Sequence, residues 1–166
     1  MSAAVPMHDM LVRLYALPAL APALAAIAAH DVTIGRAIAP HAPALRAWVG
    51  EQFAGSLAEV EVALAHVPAR VFVARRNGAI VGFACHDVTC CNFFGPEGVA
   101  AAERGKGIGR ALLLSALHAM HAQGYAYAIV GGVGPAAFYA RTVGAVSIDG
   151  SSPGIYATVA TRHKGG

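Results

Sequence analysis

A glycine-rich turn carrying three cations is the segment of this sequence best suited to chemistry. Residues 104–110 are Arg-Gly-Lys-Gly-Ile-Gly-Arg, and they come just before a run of apolar residues at helical spacing. Glycines at alternate positions let the backbone approach a ligand closely, and the start of a helix adds a positive partial charge. The arginines and the lysine add full charges around the same turn. The turn therefore predicts a binding site for an anion, most simply a phosphate group.

Two common nucleotide-binding motifs do not fit this turn. A dinucleotide-binding G-x-G-x-x-G motif needs a third glycine where the sequence has Arg110, and no acidic residue follows at the required distance. A P-loop, G-x-x-x-x-G-K-[ST], needs a glycine in place of Ala100 and a hydroxyl residue in place of Gly107. A different phosphate site and a turn without a ligand remain open.

The composition is typical of one folded domain. The chain has 166 residues, of which 57% are hydrophobic and 13% charged, and this balance excludes a disordered chain. Its formal net charge of +3 comes from scattered cations, so we expect no nucleic-acid partner. Cys85, Cys90 and Cys91 lack metal-site spacing and are interpreted as free thiols in a reducing cytoplasm, with the adjacent pair buried.

The first 30 residues are expected to form an N-terminal extension ahead of a main domain at 31–166. Residues 14–29 carry no charge, but the start lacks a basic segment and two prolines interrupt the apolar run. These features disfavour a secretion signal, and the run is too short and broken to span a membrane. Helical spacing instead predicts a short amphipathic helix with its apolar face formed by Leu17, Leu20, Leu24 and Ile27.

The main domain alternates strand and helix patterns. Asn77-Gly78 between two β-rich runs predicts a hairpin, and Ser56 to Glu59 has the form of a capping box that opens a helix. Strands are predicted at 32–38, 70–75, 79–88, 93–100, 125–130, 145–148 and 155–160, and helices after Pro43, after Ser56, at 107–123 and at 136–142. Gly95, Pro96 and Gly98 predict an irregularity in the strand at 93–100. It is either a bulge or a place where a ligand approaches the backbone.

Arg104, Gly107 and Gly109 match the signature [RQ]-x-x-G-x-[GA], and in this respect the sequence resembles the GNAT superfamily of acyl-CoA N-acyltransferases. The resemblance covers about residues 31–160, including the order of elements. It implies an α/β fold with a mixed, mainly antiparallel sheet flanked by helices. Two central strands of that sheet, here 93–100 and 125–130, would splay apart around the thioester of acetyl-CoA, the expected co-substrate.

The resemblance also implies which residues contact the co-substrate. The backbone amides of Val99 and Ala101 would hold the pantetheine arm, and the glycine turn would hold the pyrophosphate. The turn residues carried over in this way are Arg104, Gly105, Lys106, Gly107, Gly109 and Arg110.

Tyr139 is the predicted general acid. Residues 138–145 resemble a family segment in which a tyrosine precedes a Gly-Phe or Gly-Ala pair, and the tyrosine hydroxyl would protonate the departing CoA thiolate. A positioned phenol is chemically suited to that role. The alternative is that Tyr139 is only an aromatic residue of the core.

Glu97 is the predicted general base, which is needed because an amine attacks only when neutral. The two-residue period of a strand places it on the same face as Val99. Alternatively, the carboxylate only orders the turn, and His86 and Asp87 are reserve candidates. No metal is expected, because His118 and His121 have no third ligand nearby and are interpreted as solvent-facing.

The predicted reaction is transfer of an acetyl group from acetyl-CoA to a primary amine of a small molecule by direct attack. A protein lysine or N-terminal acetyltransferase and a catalytically silent acyl-CoA-binding module are the alternatives. Carboxylates that could attract a cationic amine are Glu51, Glu59 and Glu61. The apolar composition is compatible with a homodimer, and no membrane partner is expected.

Overall fold

The computed structural model describes residues 7–159, and within them seven strands form one sheet in the order β2-β3-β4-β5-β6-β1-β7. The strands are β1 Met10–Arg13, β2 Val32–Arg36, β3 Val71–Arg76, β4 Ala79–His86, β5 Phe93–Val99, β6 Tyr127–Val130 and β7 Val146–Ser147. Neighbouring strands are antiparallel except β5 and β6, which are parallel. The expected mixed, mainly antiparallel sheet is confirmed.

Five α-helices lie in the described part of the chain and cover both faces of the sheet. They are α1 Leu20–Ala28, α2 Ala42–Gln52, α3 Leu57–Leu64, α4 Ile108–Ala122 and α5 Ala136–Val143. One apolar core contains buried residues of α1 and α4, and a second core on the other face contains those of α2 and α3. Between residues 7 and 159, no helix has the length and apolar character needed to cross a membrane.

Helix α4 anchors the glycine turn to the sheet. Its predicted apolar residues are buried, and Leu112, Leu113 and Leu114 have no solvent exposure. Burying a leucine side chain contributes about 1.5–3 kcal/mol, so these residues hold the start of α4 firmly against the strands. The helix ends before Gly124, whose φ of 101° is unfavourable for other residues.

The strands β5 and β6 separate after a short contact. Only Phe93 with Ile129 and Phe94 with Val130 are paired, whereas β5 continues to Val99 after β6 has ended. Gly95 has a φ of 111° at the first position beyond the pairing, a conformation that favours glycine. The expected splayed strand pair is therefore confirmed, and we call the opening beyond Phe94 the strand split.

Strand β1 was not predicted from the sequence. It pairs with β6 on one side and β7 on the other, and Met10 and Val12 are buried. The sheet therefore crosses the predicted division at residue 30. A four-residue strand beside further apolar residues is too short for its two-residue alternation to be recognised. Helix α1 lies in the segment where an amphipathic helix was expected and buries Ile27, but Leu17, which was assigned to its apolar face, lies before the helix.

The strand predicted at 155–160 is wrong for the residues that the structure describes. Gly154–Thr158 form a 3₁₀ helix, and residue 160 lies outside the described range. The isoleucine, tyrosine and valine of this segment favour a strand only weakly, and Pro153 with Gly154, at a φ of 57°, turns the chain instead.

The capping box predicted at Ser56 is also wrong. Ser56 precedes α3, but its side chain makes no capping hydrogen bond. Glu59 instead accepts a hydrogen bond from the Thr89 hydroxyl, because tertiary structure brings the loop after β4 against α3.

Candidate functional site

The glycine turn, residues 104–110, leads directly into α4. Gly105 and Gly107 have φ values of 79° and 82°, and Gly107 is the residue before the first turn of the helix. Both conformations favour glycine over any residue with a side chain. No side chain caps this helix, and the first N–H groups of a helix have no partner within it. The turn therefore offers backbone donors to an anion.

The space around the turn is open. A Cβ atom at Gly105 would meet no heavy atom within 4 Å, and one at Gly107 would meet only Ile27 Cγ2 at 3.9 Å. Packing therefore does not explain these glycines, whereas their positive φ values do, and the open space leaves room for a ligand to approach the backbone. This opening fits the phosphate-sized anion predicted from the sequence.

Lys106 and Arg104 of the turn have different hydrogen-bond partners within the protein. Lys106 Nζ pairs with Glu103 at 2.9 Å, and Glu103 also accepts from Arg76 at 2.7 Å. The hydrogen bond from Lys106 is the main reason that the Glu103 pKa lies below its ordinary value. Arg104 Nε donates to the Val99 carbonyl at 3.2 Å, so its guanidinium is held beside the end of β5.

A cavity of about 580 Å³, which we call the main cavity, joins the glycine turn to the strand split. The predicted site residues that line it are Glu97, Val99, Arg104, Gly105, Gly107, Gly109, Arg110 and Tyr139. Ala101 and Lys106 are not among the lining residues. The other lining residues are Phe53, Gly98, Glu103, Ile108, Pro135 and Phe138, of which Gly98 was marked from the sequence as a point where a ligand could approach.

Phe53 forms an aromatic wall of the main cavity. It follows α2, and its ring centroid lies 5.6 Å from that of Trp48 and 5.7 Å from that of Phe83. A Cβ atom at Gly98 would stand 2.7 Å from Phe53 Cζ, so this position of β5 must be glycine for the ring to fit. The irregular composition of β5 indicated a close approach there, but not that an aromatic ring makes it.

Glu97 brings an unsatisfied carboxyl group into the cavity. The residue is half-buried, and its Oε1 is enclosed without a hydrogen-bond partner among the described residues. Burial raises the pKa of this carboxyl well above its ordinary value. Its Oε1 lies 3.3 Å from where a Cβ atom of Gly109 would stand. A carboxyl group in this setting is a stronger base than one in water.

Tyr139 reaches the same cavity from α5, the element that follows β6. Its ring packs edge-on against Phe94 and Phe138, with centroid distances of 6.3 and 5.1 Å. Burial and then the charge of Glu97 raise the pKa of the Tyr139 hydroxyl. The phenol therefore keeps its proton at neutral pH and is able to donate it.

The reserve bases His86 and Asp87 do not line the main cavity. His86 is fully buried, and its Nε2 accepts from Arg36 at 3.3 Å. Because a guanidinium only donates, the His86 proton lies on Nδ1, which donates to Asp87 at 2.9 Å. Burial lowers the His86 pKa, in keeping with a neutral ring. These residues form a satisfied buried network, which we call the His86 network.

Two interpretations of other side chains are wrong. His118 is not solvent-facing, because its Nε2 lies 2.8 Å from the Pro18 carbonyl oxygen, whereas His121 is exposed. Cys90 and Cys91 are exposed, and only Cys85 is buried. Within residues 7–159, no group of three or more histidine, cysteine or acidic residues is placed to hold a metal ion.

The comparisons with known proteins agree with this geometry. A family model described as an acetyltransferase (GNAT) domain matches residues 68–142, a range that includes the glycine turn, Glu97 and Tyr139. No curated protein shows a significant match to the sequence.

Solved structures share the fold at low sequence identity. One is a GCN5-related glucosamine N-acetyltransferase region of a fungal multi-domain β-N-acetylglucosaminidase, with a TM-score of 0.74, 18% identity and coverage of 88% of this chain and 20% of that chain. Another is a GCN5-related N-acetyltransferase from Sphaerobacter thermophilus, with a TM-score of 0.61, 19% identity and coverage of 87% and 50%. The chain thus spans half or less of the length of these proteins. Residues 68–142 thus match the acetyltransferase (GNAT) domain, and the chain shares its fold with these two N-acetyltransferases.

Proposed function

We propose that this protein transfers an acetyl group from acetyl-CoA to a primary amine of a small molecule by direct attack. The observation that carries the proposal is the main cavity, which connects an anion-binding turn to a carboxyl group and a phenol at the strand split. The match of residues 68–142 to the GNAT domain supports acyl transfer in general, and the lining of the main cavity supports the roles proposed for its residues.

The open glycine turn suits the pyrophosphate of acetyl-CoA. The backbone N–H groups of Gly105, Gly107 and Gly109 would bind it, with Arg104 and Arg110 adding charge. Lys106 would act from farther away, because Glu103 already pairs with it.

The edge of β5 beyond the strand split suits the pantetheine arm. In the proposal, the backbone amides of Val99 and Ala101 hold that arm, as the family resemblance implies, although only Val99 lines the main cavity. Acetyl-CoA supplies an activated thioester carbonyl when bound.

Glu97 and Tyr139 divide the proton transfers between them. Glu97 takes a proton from the ammonium of the acceptor, which leaves a neutral amine able to attack the carbonyl carbon. As the carbon–nitrogen bond forms and the carbon–sulfur bond breaks, Tyr139 donates its phenolic proton to the sulfur. The new amide nitrogen then loses its extra proton, which restores the phenol of Tyr139 through solvent, and Glu97 releases the proton that it took. The raised pKa of Glu97 supports its role, because this carboxyl binds a proton more strongly than a carboxyl in water. The Tyr139 phenol carries its proton at neutral pH, and its position in the main cavity supports its role as the donor.

A reducing compartment such as the cytoplasm suits the protein in this proposal. Cys90 and Cys91 are adjacent, exposed and not joined in a disulfide. Exposed thiols are kept reduced in the cytoplasm and are prone to oxidation elsewhere.

The test is amine-dependent release of CoA from acetyl-CoA by the purified protein with a panel of primary amines. Release is followed by chromatography, because Cys90 and Cys91 would react with a thiol reagent. We expect release with at least one amine, and we expect Gly107→Trp to abolish both acetyl-CoA binding and release by filling the turn. Gly78→Trp is the matched control, because Gly78 has nearly the same φ of 81° and open surroundings but lies in the hairpin between β3 and β4.

Different outcomes separate the alternatives. Binding of acetyl-CoA without release for any amine would favour a silent acyl-CoA-binding module. No binding at all, or equal loss of binding in both glycine variants, would contradict the proposed cofactor site.

A further inference from the structure

A second cavity, of about 210 Å³, lies at the strand split and shares no lining residue with the main cavity. Glu59, Thr89 and Tyr156 provide its polar groups, and Gly95, Pro96 and Gly131 provide backbone at its floor. We call it the Glu59 pocket. From its position and charge we infer that it binds a positively charged group of the acceptor, so that the protein prefers amines with a second ammonium group. This inference rests on the proposed function.

The position of the Glu59 pocket suits an acceptor. Gly95 and Pro96 are the first residues of β5 beyond its pairing with β6, and Gly131 is the first residue after β6. The pocket therefore opens at the strand split, and Glu97 follows Pro96 directly along β5. A molecule bound here has its reacting end close to the strand that carries the proposed base.

The charge of the pocket comes from a carboxylate without a cationic partner. Glu61 on the same helix pairs with Arg46 at 2.7 Å, whereas Glu59 is half-buried and bonded to the neutral hydroxyl of Thr89. Among residues 7–159, no lysine, arginine or histidine forms a salt bridge with Glu59. A partly buried carboxylate in a cavity is stabilised by a cation that enters it.

Tyr156 gives the pocket an aromatic wall. A Cβ atom at Gly131 would lie 2.8 Å from the Tyr156 hydroxyl and 2.9 Å from Phe93 Cε1, so glycine is required for both rings to approach. Ammonium groups bind well beside aromatic faces, which adds to the attraction of the carboxylate. The carboxylate and the rings together favour a cation over a neutral or acidic group.

Asp9 connects the chain segments on either side of the wall. One Asp9 oxygen accepts a hydrogen bond from the Gly132 backbone at 2.8 Å, and the Asp9 backbone N–H donates to Ser151 at 2.8 Å. These contacts connect β1 with the end of β6 and with the segment that leads to Tyr156. The pocket is therefore built by three separate parts of the chain.

The experiment compares 1,4-diaminobutane with 1-aminobutane, which has the same length but no second ammonium group. We expect a lower KM for the diamine with the unaltered protein. Glu59→Gln keeps an oxygen for Thr89 but removes the charge, and we expect it to raise the KM of the diamine about tenfold while leaving that of the monoamine unchanged. Glu61→Gln, on the exposed face of the same helix, is the control and should change neither value.

The outcomes distinguish this inference from the proposed function. Turnover of both amines with equal KM values, or a diamine preference that survives Glu59→Gln, would overturn the inference and leave the transferase standing. If neither amine is acetylated, calorimetric titration of the diamine into the protein with CoA present still tests whether the Glu59 pocket binds a cation. Binding that Glu59→Gln weakens about tenfold would support the pocket, and absence of binding would overturn it.

Discussion

The glycine turn and the His86 network both contain charged groups beside the sheet, but they differ in whether their polar atoms have hydrogen-bond partners. In the His86 network, Asp87 accepts from the His86 ring and from the Asn92 backbone, and Arg36 donates to His86. At the turn, the start of α4 is uncapped, and Glu97 Oε1 has no partner among the described residues. Since buried polar groups are normally satisfied, the unsatisfied groups that line the main cavity are available to a ligand, whereas the satisfied His86 network has a structural role.

The largest effect should come from Tyr139, the phenol at the strand split. We expect Tyr139→Phe to lower kcat about 10²–10³-fold, because it removes one donor to the developing charge on sulfur. Steady-state kinetics with a reactive amine measure this change, and the fold should persist because phenylalanine keeps the contacts with Phe94 and Phe138. Tyr15→Phe, at an exposed tyrosine, is the control. An unchanged kcat would mean that Tyr139 is only an aromatic residue of the core.

The next effect should be on stability, through Asp87. Asparagine tolerates the φ of 54° at this position, but its amide group cannot accept from both His86 and Asn92. A change of tautomer does not relieve the conflict, because Arg36 donates to the other ring nitrogen. We expect Asp87→Asn to lower the free energy of unfolding by about 2 kcal/mol, measured by urea denaturation.

The same variant tests whether the His86 network belongs to the site. The control is Asp149→Asn, at an exposed turn, which should change the free energy of unfolding by no more than about 0.5 kcal/mol. At a temperature where Asp87→Asn is folded, its kcat and KM should equal those of the unaltered protein. A fall in kcat would show that the His86 network is coupled to catalysis.

The effect that starts from the smallest value is a difference in stability at Glu97, which is absent at low pH and grows as the pH rises. Burial raises the pKa of this carboxyl in the folded protein, so between the ordinary value and the raised value the unfolded chain ionises first. The resulting destabilisation is absent below the ordinary pKa of 4.5. Above it, the destabilisation grows by about 1.4 kcal/mol for each pH unit and levels off once the pH passes the raised pKa of the folded protein.

Glu97→Gln removes the destabilisation that comes from ionising this carboxyl, and it also removes the proposed base. Thermal denaturation should therefore show the variant gaining stability over the unaltered protein as the pH rises, while its kcat falls. Glu51→Gln, at an exposed residue, should show no such trend. A constant difference across pH would contradict the enclosed, unsatisfied setting of Glu97.

Local patterns predicted the parts of the site that depend on neighbouring residues in the chain. The glycine turn, the helix after it and the Asn77-Gly78 hairpin are of this kind, because φ preferences and helical periodicity act over a few residues. Glu97 and Tyr139 were found through their positions relative to these elements and the family resemblance, and the structure brings both to one cavity.

The parts that could not be predicted depend on distant segments. Phe53 reaches β5 from α2, and Tyr156 reaches the strand split from a segment whose composition favoured a strand. Glu59 was expected in a capping box but bonds Thr89, 30 residues away. Such contacts are decided by packing between elements, and periodicity within one element carries no information about them.

The two ion pairs of Glu103 reduce the conformational entropy that the glycine turn would lose on binding an anion. By pairing with both Arg76 of β3 and Lys106 of the turn, it fastens residues 103–106 to the sheet before any ligand arrives. Ordering a flexible backbone costs about 1–2 kcal/mol for each residue, and here that conformational entropy is already lost when the chain folds. An anion therefore meets a preorganised turn, so that more of its interaction energy appears as affinity and less is spent on ordering the chain.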